Sequence, residues 1–373
     1  MRISTHSTTA AAAALLTLAL VACDSGGGSE PPQSATPPPA PPAPSALFVL
    51  GDSLSDVGNA AGAADYVLNL AFEPPTVGLC NPADILVAMR PCDDLFYRQS
   101  RVSDGPVAVE HLAAHFGLPE LQPSLHVLPA QRPSGTNFAV ASAKARGPGD
   151  EDLARQVDRL LLEHAPLSAD AVYVVMIGGN DAIDALQADA AAPAAVVPPS
   201  AAIITSAVAA IGTHLERLLD FGARQLVVAN VPDLGVLPAI RAAGRSSGDE
   251  ARALAAASAI TDTFNRELAA TLDAIDASVS PRAPTPVIER FDLQAALAAA
   301  QHAVTANGGN AVDACFDSEL YRDSQAAQRA FHPDCAPVIA EGPPRFGNFV
   351  FFDGIHPTGT AHAAIGDALR ALF

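Results

Sequence analysis

Ser53 stands where a serine side chain could act as a nucleophile. The apolar run at residues 46–50 predicts a buried strand, and Gly51-Asp52-Ser53 then opens a small polar cluster that ends at Asn59. A serine at the carboxyl end of a strand, on the turn into a helix, projects at the rim of a sheet beside free N–H groups of the helix N-terminus. Taken alone, the same residues also suit an ordinary helix cap.

A serine hydroxyl needs an adjacent base to take its proton, and histidine suits this role because its pKa lies near neutrality. The chain has ten histidines. Only His356 follows a strand-like run, has a carboxylate three residues back (Asp353) and is fixed by a following proline. A carboxylate that holds the imidazole in the right tautomer completes a catalytic unit. Most isolated Asp-x-x-His matches are incidental turns, so this pair gains meaning only from the distant serine.

Hydrolysis of an ester also requires N–H donors for the oxyanion, each worth on the order of a hundredfold or more in rate. Asn180 could supply a side-chain N–H from a turn at Gly178-Gly179, where glycine allows close approach. An asparagine in a left-handed turn is the alternative interpretation. The backbone N–H groups of Ser53 and Ser142 are further candidate donors.

Strand-like and helical patterns alternate along the chain. Strands are predicted at residues 135–140, 171–177, 225–229, 287–291 and 349–352, and helices at 106–116, 152–164, 200–220, 249–276, 293–305 and 358–372. The alternation predicts an α/β fold with a mainly parallel sheet covered on both faces. Because sites in such sheets form at the carboxyl ends of strands, Ser53, Ser142, Asn180 and His356 could meet at one rim.

The first 45 residues are not expected to join this fold. Residues 1–22 have a positive start and a short apolar stretch, typical of a signal peptide. Leu20-Val21-Ala22-Cys23 resembles a lipobox, in which Cys23 would carry the lipid; ordinary cleavage before an incidental cysteine is the alternative. Residues 23–45, rich in Pro, Gly and Ser, are typical of a tether. We therefore expect an exported domain at 46–373, anchored by lipid on the periplasmic or outer face of a bacterial membrane.

Charge and cysteines narrow the possible partners. The net charge of −19 disfavours nucleic acid. The even set of four further cysteines in an exported chain favours two disulfides, and sequence-local pairing, Cys80–Cys92 and Cys315–Cys335, is preferred among the three possible pairings. Neither pair has short metal-site spacing, and His111 and His115 have no evident third ligand, so no metal or cofactor is expected. The sequence says nothing of oligomeric state.

Four segments carry a family resemblance. Gly51-Asp52-Ser53-Leu54, Asn137-Phe138-Ala139-Val140, Gly178-Gly179-Asn180-Asp181 and Asp353-Gly354-Ile355-His356 resemble, in order, the first, second, third and fifth sequence blocks of the GDSL esterase/lipase family of SGNH hydrolases. The resemblance runs from about residue 46 to the C-terminus. It departs from the family at Ser142, which falls where the family has its oxyanion glycine.

The resemblance implies a flavodoxin-like, three-layer α/β/α fold, the SGNH hydrolase fold. It also implies hydrolysis of carboxylic esters through an acyl-enzyme on Ser53, with His356 as base, Asp353 as its orienting acid and Asn180 as an oxyanion donor. The substrate would be a small-molecule or lipid ester, as for an esterase, lipase or phospholipase. The alternatives are a carbohydrate O-deacetylase, and a non-catalytic surface lipoprotein that binds acylated ligands.

Overall fold

Two short, fully apolar strands form the centre of the protein. The computed structural model describes residues 43–60, 101–124, 135–317, 331–335 and 346–373, so Cys23, Cys80, Cys92 and the predicted signal and tether up to residue 42 lie outside the described residues. Strands β1 (Leu47–Gly51) and β2 (Val172–Met176) are buried along their whole length. Apolar side chains on both faces of a strand require cover on both sides, which is the pattern of a parallel sheet between helices.

The main sheet is parallel throughout. β3 (Gln225–Ala229) and β4 (Val287–Phe291) extend it in the order β1-β2-β3-β4. On the free edge of β1, Phe138 N–H donates to Val49 O at 2.7 Å and Val140 N–H donates to Gly51 O at 3.1 Å. The strand predicted at 135–140 is therefore an extended segment bonded to β1, with only isolated bridges. If this segment is counted as the second strand in chain order, β2, β3 and β4 become the third, fourth and fifth strands. The spatial order of the sheet is then 2-1-3-4-5, which is the flavodoxin-like order.

The helices pack as two groups. The described helices are α1 (Ala108–His115), α2 (Leu153–His164), α3 (Gly179–Ala191), α4 (Pro199–Asp220), α5 (Pro238–Ser247), α6 (Glu250–Val279), α7 (Leu293–Ala306) and α8 (Gly359–Arg370). Helices α2 to α6 contact one another in one group, and α1, α7 and α8 form the other. With the sheet, they make the predicted three-layer α/β/α fold, which is confirmed.

Helix α4 could be mistaken for a membrane span. It is long and apolar enough to cross a bilayer by length and composition. However, one face of it, including Ile204, Val208, Ile211 and Leu215, is buried within the protein. Since it packs against α3 and α6, α4 is a core helix of the α/β fold.

A second, smaller sheet leads to the C-terminal part of the site. Strands β5 (Asn310–Ala314) and β6 (Phe349–Phe351) pair in parallel. Beside them, Cys315 and Cys335 form a disulfide with their Cα atoms 5.4 Å apart. The two cysteines belong to a cluster of buried residues that is separate from the main core. The aromatic rings of this cluster are those of Phe316, Phe331, Phe346, Phe349 and Phe352. This packing fixes the chain directly before Asp353.

Candidate active site

The turn that carries Ser53 follows β1 without a spacer. Gly51 ends the strand so close to β2 that a Cβ there would lie 2.3 Å from Met176 O. Asp52 O then accepts hydrogen bonds from the N–H groups of Ser55 and Asp56, both at 3.0 Å, which closes a tight turn around Ser53. The serine is 9% exposed and lies at the carboxyl end of the strand. Sequence and packing together therefore present its hydroxyl at the rim of the sheet.

Asp353 and His356 lie on one tight loop after β6. Asp353 Oδ1 accepts the backbone N–H groups of Ile355 and His356, each at 2.8 Å. The loop is closed by Phe352 N–H, which donates to His356 O at 2.8 Å. Thr358 follows as the N-cap of α8, its hydroxyl accepting Ala361 N–H at 3.2 Å. The imidazole thus projects from a loop that is hydrogen-bonded at both ends.

The three side chains form a continuous chain of contacts. His356 Nδ1 lies 2.9 Å from both carboxylate oxygens of Asp353. His356 Nε2 lies 2.9 Å from Ser53 Oγ, across 303 residues of sequence. With Nδ1 protonated and donating to Asp353, Nε2 is free to accept the serine proton, which is the arrangement that activates a hydroxyl.

The electrostatics of the site favour an ionised Asp353 and stabilise a proton on the His356 ring. Burial lowers the pKa of His356, but the charge and hydrogen bond of Asp353, joined by the charge of Asp52, outweigh burial and raise that pKa above its ordinary value. Burial raises the pKa of Asp353, yet the charge and hydrogen bond of His356 hold it below its ordinary value. Asp353 therefore stays ionised, and its charge is suited to stabilise a protonated His356 ring.

Asp52 is a second carboxylate beside the reacting groups. It is 3% exposed, and burial raises its pKa to about 7, against the lowering effects of the Leu54 N–H group and of His356. Its Oδ1 accepts the Leu54 N–H at 3.1 Å. Asp52 is not among the site residues predicted from the sequence, although its place in the Gly-Asp-Ser segment could have suggested a role.

Asn180 lies in the first turn of α3, where the sequence suggested only a turn. Gly178 precedes it as the N-cap with φ 117°, and a Cβ at Gly178 would lie 2.6 Å from the Phe264 ring. One N–H of the Asn180 amide donates to Ala143 O at 2.9 Å. Because an amide nitrogen carries two hydrogens, the other N–H stays available for an oxyanion.

Ser142 occupies a strained turn. Ala143 N–H donates to Val140 O at 3.1 Å across this turn, and Ser142 has φ 68°, the left-handed region that favours glycine. The Ser142 side chain is exposed. Asn180 lines the cavity around Ser53, and Ser142 is not among the described residues of that lining.

Buried side chains that the sequence analysis did not identify hold these loops together. Asp56 Oδ2 accepts Ala141 N–H at 2.8 Å, joining the Ser53 turn to the Ser142 turn. Asp181 Oδ2 accepts Ala145 N–H at 2.7 Å, joining the same segment to α3. The Gln156 amide forms two hydrogen bonds with the backbone of Gly51: its Oε1 accepts the Gly51 N–H at 2.8 Å, and its Nε2 donates to the Gly51 carbonyl at 2.7 Å. Side-chain bonds to distant backbone leave no periodic signal, so the sequence pattern could not reveal them.

A cavity of about 630 Å³, including the part open to solvent, adjoins Ser53. Its polar lining is Asp52, Ser53, Asn180, His356 and His362, and most of the remaining lining is apolar, including Leu54, Ile183, Leu234, Leu293, Leu297 and Ile365. Such a surface suits a neutral molecule with hydrocarbon parts whose reacting group lies at the polar end.

The predicted site residues are placed as follows. The structure brings Ser53, His356, Asp353 and Asn180 to one rim, with Ser142 on the neighbouring turn. Cys315 pairs with Cys335, and Cys23, Cys80 and Cys92 lie outside the described residues. No group of three or more potential metal ligands occurs among the residues that the structure describes.

Fold and site together define a class: a three-layer α/β protein with a Ser–His–Asp constellation at the carboxyl ends of its parallel strands. Residues 47–369 match the family described as GDSL-like Lipase/Acylhydrolase. The chain belongs to this family, and the resemblance inferred from the four sequence segments is confirmed.

Two relatives from Arabidopsis thaliana are similar to the chain. "Inactive GDSL esterase/lipase-like protein 25" is 26% identical over 205 residues, covering 53% of this chain and 44% of the relative. "GDSL esterase/lipase 5" is 26% identical over 243 residues, covering 60% of this chain and 57% of the relative. The chain thus spans about half the length of the curated relatives it matches.

Proposed function

We propose that this protein is a serine ester hydrolase that cleaves carboxylic esters through an acyl-enzyme on Ser53. The observation that carries the proposal is the 2.9 Å distance between Ser53 Oγ and His356 Nε2, with Asp353 on the opposite ring nitrogen. If His356 only filled space beside Ser53, it would not require a buried carboxylate. Asp353 contacts both the ring and the backbone N–H of His356, which supports a catalytic role for the histidine.

In the acylation step, Ser53 Oγ attacks the carbonyl carbon of the ester while His356 Nε2 takes the hydroxyl proton. The carbonyl oxygen becomes an oxyanion that accepts hydrogen bonds from the N–H groups of Ser53 and Asn180, and the backbone N–H of Ser142, on the neighbouring turn, is the third candidate donor. Collapse of the tetrahedral intermediate breaks the bond to the alcohol, which leaves with the proton from His356. Water then attacks the acyl-enzyme, loses its proton to His356 and releases the carboxylic acid, restoring Ser53.

The lining of the cavity favours an ester with a hydrocarbon arm. The leucine and isoleucine side chains that line it offer apolar area to such a chain, and Asp52 disfavours an anionic group. A polysaccharide substrate, as for an O-deacetylase, would instead call for polar side chains along the cavity. We therefore favour esterase or lipase activity over deacetylation.

The test compares wild type with the Ser53→Ala and His356→Ala variants on p-nitrophenyl butyrate. Each substitution is expected to reduce kcat by at least about 10³-fold, since the two residues act as one unit. A fluorophosphonate probe should label wild type and not Ser53→Ala. Near-native turnover in either variant would refute the mechanism, and an unlabelled, inactive wild type would favour the non-catalytic alternative.

We also propose that the chain is exported and anchored by lipid at Cys23. The proposal rests on the Leu20-Val21-Ala22-Cys23 segment and the proline-rich stretch that follows it. In a bacterial host, incorporation of an alkyne fatty acid should label wild type and not Cys23→Ser. A labelled Cys23→Ser variant, or an unlabelled wild type in the membrane fraction, would contradict the anchor.

A further inference from the structure

His362 is a second histidine of the cavity, outside the Ser–His–Asp constellation. It lies in the second turn of α8 and is 1% exposed. It lines the same cavity as Ser53 and His356. The mechanism above gives it no part, and nothing in its helix requires a histidine there.

A hydrogen bond at Nδ1 determines which ring nitrogen of His362 carries the proton. Its Nδ1 accepts the backbone N–H of Ala108 at 3.3 Å, so Nδ1 carries no proton. The neutral ring must then carry its hydrogen on Nε2. Burial, reinforced by the neighbouring His356 and His111, lowers the pKa of His362 to about 3, which keeps the ring neutral at any working pH.

The remaining ring nitrogen, Nε2, is the one that requires an acceptor. His362 Nε2 is buried, and among the described residues none forms a hydrogen bond with it. A buried donor without an acceptor costs about 1–3 kcal/mol, so most such donors in native proteins are paired with protein, water or a bound molecule. Because His362 is among the residues that line the cavity beside Ser53, an occupant of that cavity is the candidate acceptor that we consider.

The charge of the cavity limits what this acceptor can be. Among the described residues of the lining there is no lysine or arginine, and Asp52 contributes a carboxylate that titrates near neutrality. Apart from His356, which the proposed mechanism uses as the base, the described lining therefore offers no counter-charge to a buried carboxylate or phosphate. A neutral oxygen, as in an ether, ketone or hydroxyl group, matches a single N–H donor within apolar surroundings.

We propose that His362 Nε2–H binds a neutral oxygen carried by one arm of the ester substrate. His362 would thereby select oxygen-bearing chains over plain hydrocarbon chains. This inference rests on the proposed function and specifies the substrate class of the same site. It makes His362 a specificity-determining residue that touches the substrate away from the scissile bond.

The experiment uses matched esters in which one CH₂ is replaced by oxygen. The acyl series is p-nitrophenyl hexanoate with its 3-, 4- and 5-oxa analogues, and the alcohol series is hexyl butyrate with its oxa analogues. Wild type is expected to prefer one oxa position in one series. That preference, measured as a ratio of kcat/KM values, should fall about 3- to 10-fold in His362→Leu, as expected for loss of one hydrogen bond.

Two further variants keep the result interpretable. His362→Gln retains an N–H donor and should keep part of the preference, even if His362→Leu folds poorly. Asp367→Asn changes an exposed carboxylate of α8 that is not part of the described cavity lining, and it should leave the ratio unchanged. Circular dichroism and the rate of fluorophosphonate labelling of Ser53 report whether each variant is folded and its nucleophile intact.

The outcomes separate this inference from the proposed function. A wild type that cleaves hydrocarbon esters but shows no preferred oxygen position in either series would overturn the role of His362 and leave the esterase intact. A preference that survives unchanged in His362→Leu would overturn it as well. A wild type that cleaves no ester and is not labelled at Ser53 would remove both proposals together.

Discussion

Asp353 contacts His356 in two ways, through the ring and through the backbone: its Oδ1 lies 2.9 Å from Nδ1 and accepts the His356 N–H at 2.8 Å. The carboxylate therefore sets both the shape of the loop and the direction of the imidazole. An asparagine could keep the backbone bonds through its carbonyl oxygen but would lose the negative charge. The two roles of Asp353 can thus be separated by one substitution.

Asp353→Asn is expected to lower kcat about 10³- to 10⁴-fold with little change in KM, since the imidazolium loses its counter-charge and the wrong tautomer is favoured. Steady-state kinetics on p-nitrophenyl butyrate measures the effect, and circular dichroism should be unchanged. A variant within tenfold of wild type would mean that Asp353 serves the loop alone.

Asp52→Asn is expected to shift the pH dependence of kcat/KM. The charge of Asp52 helps to raise the pKa of His356, and His356 must be neutral to act as a base. Removing that charge lowers the His356 pKa, so the acidic limb of the profile moves to lower pH. The Asn side chain can still accept the Leu54 N–H group. Asp367→Asn, a change at an exposed carboxylate of α8, is the control and should leave the acidic limb of the profile in place. A shift of that limb to higher pH in Asp52→Asn would contradict the prediction.

Ser142→Gly is expected to stabilise the protein. A left-handed conformation costs a residue with a Cβ about 1–2 kcal/mol, and glycine's greater freedom in the unfolded chain offsets part of this, leaving a gain of about 0.5–1 kcal/mol. Because the backbone N–H is retained, kcat should not change. Urea unfolding and kinetics test both statements, with Ser142→Ala expected to match wild type in stability. A large loss of activity in Ser142→Gly would assign a role to the serine hydroxyl.

Removal of the Cys315–Cys335 disulfide should destabilise the C-terminal part of the site. Cys315 N–H donates to Phe351 O at 3.0 Å and Phe316 N–H donates to Phe352 O at 2.9 Å, so the bridged segment holds the chain that leads to Asp353. For a sequence separation of 20, the double substitution to serine should cost about 3 kcal/mol. Chemical denaturation measures this cost, and equal stability with and without the bridge would contradict it.

Strands and helices with a clear apolar pattern could be predicted closely from the sequence. β3 and β4 have the predicted bounds, since each is a short run of strand-forming residues next to a polar turn. Helix α3 was missed because Gly178-Gly179 precedes it and its alanines and aspartates give a weak apolar face. Helix α5 and strand β5 also lacked a recognisable pattern.

For the candidate site, residue types and order could be predicted, but the geometry could not. Sequence position placed Ser53, Asn180 and His356 after strands, because the carboxyl ends of parallel strands share a rim. The ties made by Asp56, Asp181 and Gln156 depend on tertiary contacts between segments far apart in the chain. The same holds for His362, which sequence spacing cannot distinguish from any other helical histidine.

The separation of 303 residues between the proposed nucleophile, Ser53, and the proposed base, His356, has a consequence for biosynthesis. A growing polypeptide contains Ser53 early, yet its hydroxyl stays as unreactive as that of free serine until the last loop and α8 have emerged and docked. Under the proposed mechanism, acyl transfer begins only when folding is complete, and a chain that stops short of His356 has no base to activate Ser53 toward esters.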